Sequence, residues 1–318
     1  MDQSLYKHLK TFGKVKPNAL LAKFCTFAIG GPADVLITVD DQAKLVTLLN
    51  FLSGEGVEWF ILGGGSNLLL PDEGFRGVVI KVQSSEFRVQ SNAIEIEAGA
   101  ELSELVRLSI QYKLTGFEWA AGIPGTVGGA IRGNAGARYA FTGGEIKDII
   151  QSVRVWRDGE VLELAPAECE FGYRDSIFKH NTDVILAGQF KCGPGDPKVS
   201  LEMTQKIIAE RRGKQPRKAS AGSFFKNIPL EKYPGDQSVL PERFLKYKKV
   251  AAGWLIDQAG LRGYRVGGAE ISEEHGNFII NTQAATQADV LAVVEEVKTR
   301  VYTKFKVELE EEVQIMYG

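Results

Sequence analysis

The spacing of apolar and polar residues divides the chain into a series of strands and helices. Residues 27–39, FAIGGPADVLITV, predict a Gly-Gly-Pro turn and then a strand with alternating apolar positions. Asp41 is placed to cap a helix with Leu45, Leu48, Leu49 and Leu52 on one face, and Gly54 and Gly56 are placed to end it. Residues 57–62, 77–82 and 93–98 predict further strands, and residues 101–112 a helix with Leu102, Leu105, Val106 and Ile110 inward. From 149 to 190 the pattern returns to strands, with a turn at Asp158-Gly159. Gly and Pro punctuate residues 192–197 and predict a domain boundary, after which Ser200 is placed to cap a helix through Ile207 and Ile208 to Arg212. Residues 253–259 predict a short helix stopped by Gly260, and residues 277–281 a buried strand.

The clearest helix is 286–305, where Val290, Val294, Val297, Val301 and Phe305 share a face and Thr286 with Asp289 forms a capping signature. A last strand is expected over 307–316. Val307, Leu309, Val313 and Ile315 fall on one side; Glu308, Glu310, Glu312 and Gln314 fall on the other. Glu311 breaks the alternation as a carboxylate on the apolar side.

Two glycine-rich stretches fit neither period. The longer, Gly122-Ile123-Pro124-Gly125-Thr126-Val127-Gly128-Gly129-Ala130-Ile131-Arg132-Gly133-Asn134-Ala135-Gly136-Ala137, reads as an extended loop. Glycine admits positive φ and lets a ligand touch the main chain, and a run of free amides forms a concave anion site. Thr126 and Asn134 are placed to complete a phosphate or ring contact. The shorter, Gly63-Gly64-Gly65-Ser66-Asn67-Leu68, follows a strand but is not a dinucleotide fingerprint. Leu68 takes the sixth position, and Leu69, Leu70 and Pro71 do not open a helix. What remains is a nest of amides suited to a pyrophosphate. A side chain at Gly64 or Gly125 is expected to exclude the ligand before it disturbs folding.

Three polar clusters lie downstream. Arg174 sits among aromatics in Gly172-Tyr173-Arg174-Asp175-Ser176-Ile177-Phe178-Lys179, a setting equally natural for a stacked surface arginine. Arg211, Arg212, Lys214, Arg217 and Lys218 form a basic run, either a solvated face or a partner for an anion. Ser223 lies in Ala221-Gly222-Ser223-Phe224-Phe225-Lys226-Asn227.

Composition narrows the function classes. With 318 residues, two or three domains are expected, and 44% hydrophobic with 25% charged residues is ordinary for a globular chain. A formal charge of −2 argues against nucleic acid or an anionic membrane as partner. Cys25, Cys169 and Cys192 are far apart, and His8, His180 and His275 form no HExxH, so no metal site is expected. The start MDQSLYKHLKTFGK lacks an apolar core for secretion, and no apolar run approaches a membrane span; a cytoplasmic protein is expected.

Taken in order, GGGSNLLL, AGIPGTVGGAIRGNAGA, GYRDSIFK, AGSFFKN, AAGWLIDQAGLRG and the closing LEEEV resemble the UDP-N-acetylenolpyruvoylglucosamine reductase family from about Phe24 to the C-terminus. The resemblance implies an α+β fold: a two-part FAD-binding domain of the vanillyl-alcohol-oxidase (PCMH) type over 1–80 and 81–195, and a C-terminal α+β substrate-binding domain over 200–318. It implies non-covalent FAD, NADPH as co-substrate, a nucleotide-sugar substrate and no particular oligomer. Gly63, Gly64, Gly65, Ser66 and Asn67 become contacts to the FAD pyrophosphate. Gly122, Ile123, Pro124, Gly125, Thr126, Gly128, Gly129, Asn134, Ala135 and Gly136 become contacts to flavin and phosphates. Arg174, Ser223 and Glu312 correspond to the family's catalytic arginine, proton donor and glutamate. Tyr173, Lys226 and Asn227 match substrate contacts.

These residue types suit the reaction so implied. The enolpyruvyl carboxylate takes up charge as hydride reaches the β-carbon, and Arg174, with Glu312 protonated or hydrogen-bonded to that carboxylate, stabilises it. Ser223 then protonates the α-carbon, and a cationic neighbour, Lys226 or Arg174, is expected to favour its alkoxide. An FAD oxidase acting on an alcohol or sugar is the competing reading, disfavoured because no His lies in either glycine motif. Two departures touch the substrate side: Ile228 separates Asn227 from Pro229, and Glu311 stands where proline is common. Only 48 residues separate Arg174 from Ser223, which implies the family's short form, without a lid segment.

Overall fold

The structure is a computed structural model that describes residues 3–317. Its chain divides into two compact units. The first comprises residues up to Ala19, Ala33–Gly64 and Phe75–Arg211; the second comprises Leu20–Pro32, Gly65–Gly74 and the chain from Arg212 onward.

The first unit carries both expected FAD-domain parts apart from residues 20–32 and 65–74, each part with its own sheet. One sheet has four strands in the order Lys14–Leu20, Pro32–Val39, Phe75–Val82 and Trp59–Leu62. The last three run parallel, as strands joined by a crossover helix must. Helix α1 (Gln3–Leu9) buries Leu9, and α2 (Gln42–Glu55) buries Leu45, Leu48, Leu49 and Leu52 with Val35, Ile37, Val78 and Ile80 of this sheet. Asp41 caps α2 as expected, accepting from the Lys44 amide at 2.8 Å. Gly54 lies within the helix; Gly56, at φ 63°, ends it.

The other sheet is antiparallel in the order Glu160–Leu164, Ile150–Arg157, Val184–Lys191, Ala93–Glu97 and Phe87–Val89. Asp158 and Gly159 turn its hairpin with φ of 49° and 95°, the sign that matches strand twist in a two-residue turn. Helix α3 (Leu102–Gln111) buries Leu102, Leu105, Val106 and Leu108, with Ile110 at the edge of the core.

The long glycine motif is not all loop. Residues Val127–Arg132 form helix α4, and a short helix α5 (Ile146–Ile149) lies beyond it. Helix α6 (Pro197–Lys214) begins before Ser200, which is therefore not its cap; Ser200 Oγ donates instead to the Glu118 carboxylate. The division between units falls at Arg211–Arg212, inside α6, and not at residues 192–197. The reason is pairing: Gly193–Pro194 forms a two-residue ladder with Leu114–Thr115, which ties this Gly/Pro stretch into the first unit.

The second unit has its own core around Phe224, Phe225, Leu255, Val290, Val294 and Val301. Its main sheet runs Ala219–Ser223, Phe278–Asn281, Ala269–Ile271 and Arg265–Val266. Helices α7 (Glu242–Tyr247), α8 (Ala252–Gln258) and α9 (Gln287–Phe305) accompany it. The capping box of α9 forms as expected, with Asp289 N donating to Thr286 Oγ1 at 3.1 Å and Thr286 N to the Asp289 carboxylate at 3.1 Å.

The expected last strand shrinks to Gln314–Ile315, parallel to Leu68–Leu69. Residues 307–313 keep the alternation, with Val307, Leu309 and Val313 buried and Glu308 and Glu310 exposed, but bond irregularly. Glu311 is tolerated on the apolar side because Lys298 of α9 pairs with it at 2.6 Å. Among the described residues no helix is long and apolar enough to cross a membrane.

Candidate functional site

In the first unit the two glycine motifs pack backbone against backbone. A Cβ at Gly64 would lie 2.6 Å from Gly125 Cα, and one at Gly63 would lie 2.6 Å from Thr126 Oγ1. Gly125 itself has φ 111°. These glycines are therefore required by the protein's own packing, which corrects the expectation that a side chain at Gly64 would first exclude a ligand. Thr126 caps α4, its Oγ1 accepting from Gly129 N at 3.3 Å. The amides of Val127 and Gly128 donate to the Ala100 and Ala98 carbonyls at 2.8 and 2.9 Å. A Cβ at Gly128 would come within 2.9 Å of Ala98 Cβ. Of the two helical glycines, Gly129 is the open one: it is exposed, and a Cβ there meets nothing nearer than 3.5 Å.

Gly122 and Pro124 are exposed and Ile123 is packed on the core. Ala135 donates its amide to Ala130 O at 2.8 Å. Gly136 is buried in the strand Gly136–Arg138, where a Cβ would meet Glu145 Cγ at 2.6 Å. Among the described residues, the amides of Gly64 and Gly65 have no protein acceptor. Such donors fit a pyrophosphate oxygen, so this part of the motif suits an FAD phosphate, while the Val127 and Gly128 amides are already bonded.

Lys81 was not singled out by pattern. Its Nζ donates to Gly63 O at 3.1 Å. Burial lowers its pKa, with Glu101 acting in the opposite sense. The available signal was a cation set within the apolar run of the strand Phe75–Val82, between Ile80 and Val82.

Arg174 lies in a tight turn in which Gly172 N donates to Asp175 O at 3.0 Å. Its φ is 57°. Its Nη2 donates to Gly136 O at 2.6 Å, and its guanidinium stands 5.4 Å from the Tyr173 ring centroid. Asn134 lies beneath this turn. It is fully buried (0% exposed), and its side chain bonds Gly172 O, Glu145 and the Lys147 amide. Its side-chain amide is thus engaged by the protein, to the arginine turn on one side and α5 on the other.

In the second unit, Gly65 is buried against Phe24 O and Cys25 and adopts φ 62°. Ser66 and Asn67 follow it, half-buried. Asn67 holds the terminal segment: its Nδ2 donates to Glu312 O at 3.1 Å, and its carbonyl accepts from Gln314 N at 3.0 Å. Glu312 N in turn donates to Phe224 O at 2.8 Å, which sets the Glu312 segment beside Ser223. Ser223 ends the strand Ala219–Ser223, where the ladder slips between Ser220 and Ser223 and Gly222 adopts φ 84°. A bulge of this kind re-aims the residue that follows it. Asn277 fixes Phe225, two residues on, from both sides: Phe225 N donates to Asn277 Oδ1 at 3.0 Å, and Asn277 Nδ2 donates to Phe225 O at 2.8 Å.

Lys226 does not supply an uncommitted charge to Ser223, because its Nζ forms an ion pair with Glu310. Asn227 Oδ1 accepts from Ala252 N at 3.1 Å and serves as a surrogate cap for α8. Ile228 is buried and pairs with Val250, so the extra residue before Pro229 is absorbed by the core.

Comparison with known proteins finds two family profiles and a set of full-length relatives. A family profile described as "FAD binding domain" matches residues 33–165, and one described as "UDP-N-acetylenolpyruvoylglucosamine reductase, C-terminal domain" matches residues 215–316. The chain is 38% identical to the UDP-N-acetylenolpyruvoylglucosamine reductase of Caldanaerobacter subterraneus subsp. tengcongensis, over 98% of this chain and 96% of that one. It is 36% identical to the protein of the same name from Clostridioides difficile, over 95% and 93%. The crystal structure of the Thermus caldophilus reductase superimposes with a TM-score of 0.76 at 33% identity, covering 96% of this chain and 100% of that one.

Proposed function

The chain belongs to the UDP-N-acetylenolpyruvoylglucosamine reductase family, and on that premise we propose that it reduces the enolpyruvyl ether of UDP-N-acetylglucosamine enolpyruvate to UDP-N-acetylmuramate for peptidoglycan synthesis. NADPH is the proposed co-substrate and the cytoplasm the proposed compartment, in keeping with three free thiols. Bound FAD supplies the hydride that reaches the β-carbon.

The arrangement of Ser223 and Glu312 in the second unit carries this reading. An ordinary strand end would not need Gly222 at positive φ, nor a neighbouring segment tied down by Asn67 and the Phe224 carbonyl. In the proposal Ser223 Oγ gives its proton to the α-carbon as the enolate-like charge collapses. Glu312, in its protonated form, donates a hydrogen bond to the substrate carboxyl. Arg174 opposes the charge growing there, an interaction stronger in the transition state than in the ground state. With Lys226 paired to Glu310, the drive for this transfer is the basicity of the enolate-like α-carbon, which takes the proton as it leaves Ser223 Oγ. Tyr173 and Asn227 are the residues proposed to position the substrate.

Half-reactions test the proposal. NADPH should bleach the flavin anaerobically, and the enolpyruvyl nucleotide should restore its colour without oxygen. Ser223→Ala should leave reduction by NADPH near normal and slow reoxidation by the nucleotide by about 10²–10⁴-fold, the usual worth of a positioned general acid. Reoxidation that proceeds only in air would point to an oxidase, and unchanged reoxidation in Ser223→Ala would remove this serine from the mechanism.

A further inference from the structure

The turn that carries Arg174 is pinned to the glycine motif at three points. At its start, Gly172 O accepts from Asn134 Nδ2 at 2.6 Å. In its middle, Arg174 Nη2 donates to Gly136 O at 2.6 Å. At its end, Ser176 Oγ donates to Arg132 O at 2.7 Å. The turn holds Arg174 at φ 57°, a backbone state that persists for such a side chain only when the surroundings impose it. Lys179 Nζ adds a bond to the Arg174 carbonyl at 2.7 Å.

Asn134 and Ser176 are both buried, and of the two Asn134 bonds more than one segment through its side chain. Its own φ is 40°, a conformation asparagine tolerates better than other non-glycine residues. Its Oδ1 accepts from Lys147 N at 3.0 Å, so one amide group joins α5, the glycine motif and the arginine turn. Removing it leaves a donor on Lys147 and an acceptor on Gly172 without this partner in a part-buried place, which loosens whichever backbone is held least elsewhere. The turn is that backbone, because Lys147 lies in α5, whose first turn is closed by the Glu145–Asp148 capping box.

We propose that Asn134 is a positioning residue for Arg174, acting through the Gly172 carbonyl and not through any ligand. The proposal rests on the reading of Arg174 as the group that meets charge on the substrate. It also explains why an asparagine stands among glycines in this motif.

Two variants test it. Asn134→Gly keeps the positive φ and deletes the side chain. Asn134→Asp keeps the acceptor for Lys147 N but replaces the donor to Gly172 O with a second acceptor, and it serves alone if the glycine variant does not fold. In holoenzyme with normal FAD content, amide exchange over residues 170–180 should quicken about tenfold or more, while residues 286–305 stay unchanged. Reduction by NADPH should stay within about twofold, and reoxidation by the enolpyruvyl nucleotide should slow about tenfold or more, as small displacements of a charged group do. Combined with Arg174→Ala, either variant should add no further slowing, the mark of residues acting as a unit.

Unchanged exchange over 170–180 would overturn the proposal, as would slowing in the double variant equal to the product of the singles. An effect in Asn134→Gly that Asn134→Asp lacks would assign it to Lys147 and overturn the proposal too. If Arg174→Ala by itself leaves reoxidation at the wild-type rate, the reading of Arg174 fails, and the exchange measurement still decides whether Asn134 holds the turn.

Discussion

Two glycine-to-alanine changes separate packing from ligand contact. In Gly64→Ala the new Cβ would stand 2.6 Å from Gly125 Cα, 3.3 Å from its carbonyl carbon and 3.4 Å from Thr126 N, all main-chain atoms. That backbone cannot yield easily, because Gly125 O accepts from Leu102 N at 2.9 Å and Val127 N is bonded to Ala100 O at 2.8 Å. Overpacking of this kind costs about 1–3 kcal/mol. For a unit of this size, about 2–4 °C per kcal/mol puts the apoprotein midpoint about 2–12 °C lower. In Gly129→Ala the new Cβ meets only Thr126 Oγ1 at 3.5 Å. Alanine in a helix gains about 0.5–1 kcal/mol over glycine, so the apoprotein midpoint should rise about 1–4 °C. If the flavin nucleotide approaches this exposed face, FAD affinity should nonetheless fall. Thermal unfolding of apoprotein, paired with FAD titration by fluorescence quenching, reads both quantities. A Gly64→Ala apoprotein as stable as wild type, with only FAD affinity lost, would refute the packing argument. A Gly129→Ala protein with wild-type FAD affinity would show that the cofactor does not touch that face.

Further outcomes follow from other parts of the chain. Acid precipitation should release all the flavin, since neither glycine motif holds a histidine for a covalent link; flavin retained in the pellet would contradict this. Substrate affinity should weaken with added salt and in Arg217→Ala if exposed Lys214 and Arg217 meet the diphosphate, and an affinity flat across ionic strength would leave them as a solvated face. Burial pushes His275 below its ordinary pKa of 6.5, with Asp257 opposing and Arg262 assisting, and its Nδ1 accepts from Asn277 N at 3.2 Å. A folded-state pKa below the unfolded value gives stability that is present above about 6.5 and lost as pH falls through the folded value. The thermal midpoint should therefore drop between about pH 7 and 5, and His275→Gln should flatten that drop; an equal drop in the variant would place its origin elsewhere.

Features held by neighbours in sequence were legible from the sequence alone. Asp41 and Lys44 are three residues apart, as are Thr286 and Asp289, and the Asp158-Gly159 hairpin closes on itself. Periods of 3.6 and 2 exposed the buried leucines of α2, the valines of α9 and the alternation over 307–313. The ordered motifs were specific enough to reach the family, whose short pieces no single pattern could assign. Features made by distant closures were not legible. Helix α4 was hidden because Gly128 and Gly129 disfavour a helix that Thr126 and packing on Ala98 impose. The Gly/Pro stretch at 192–197 carried the composition of a boundary, yet pairing with Leu114–Thr115 makes it part of a sheet. Lys226 meets Glu310 across 84 positions, Asn67 meets Glu312 across 245, and Asn134 meets Gly172 across 38. Local propensity limits each segment to a few shapes, but a polar side chain takes its partner from whatever the folded core brings beside it.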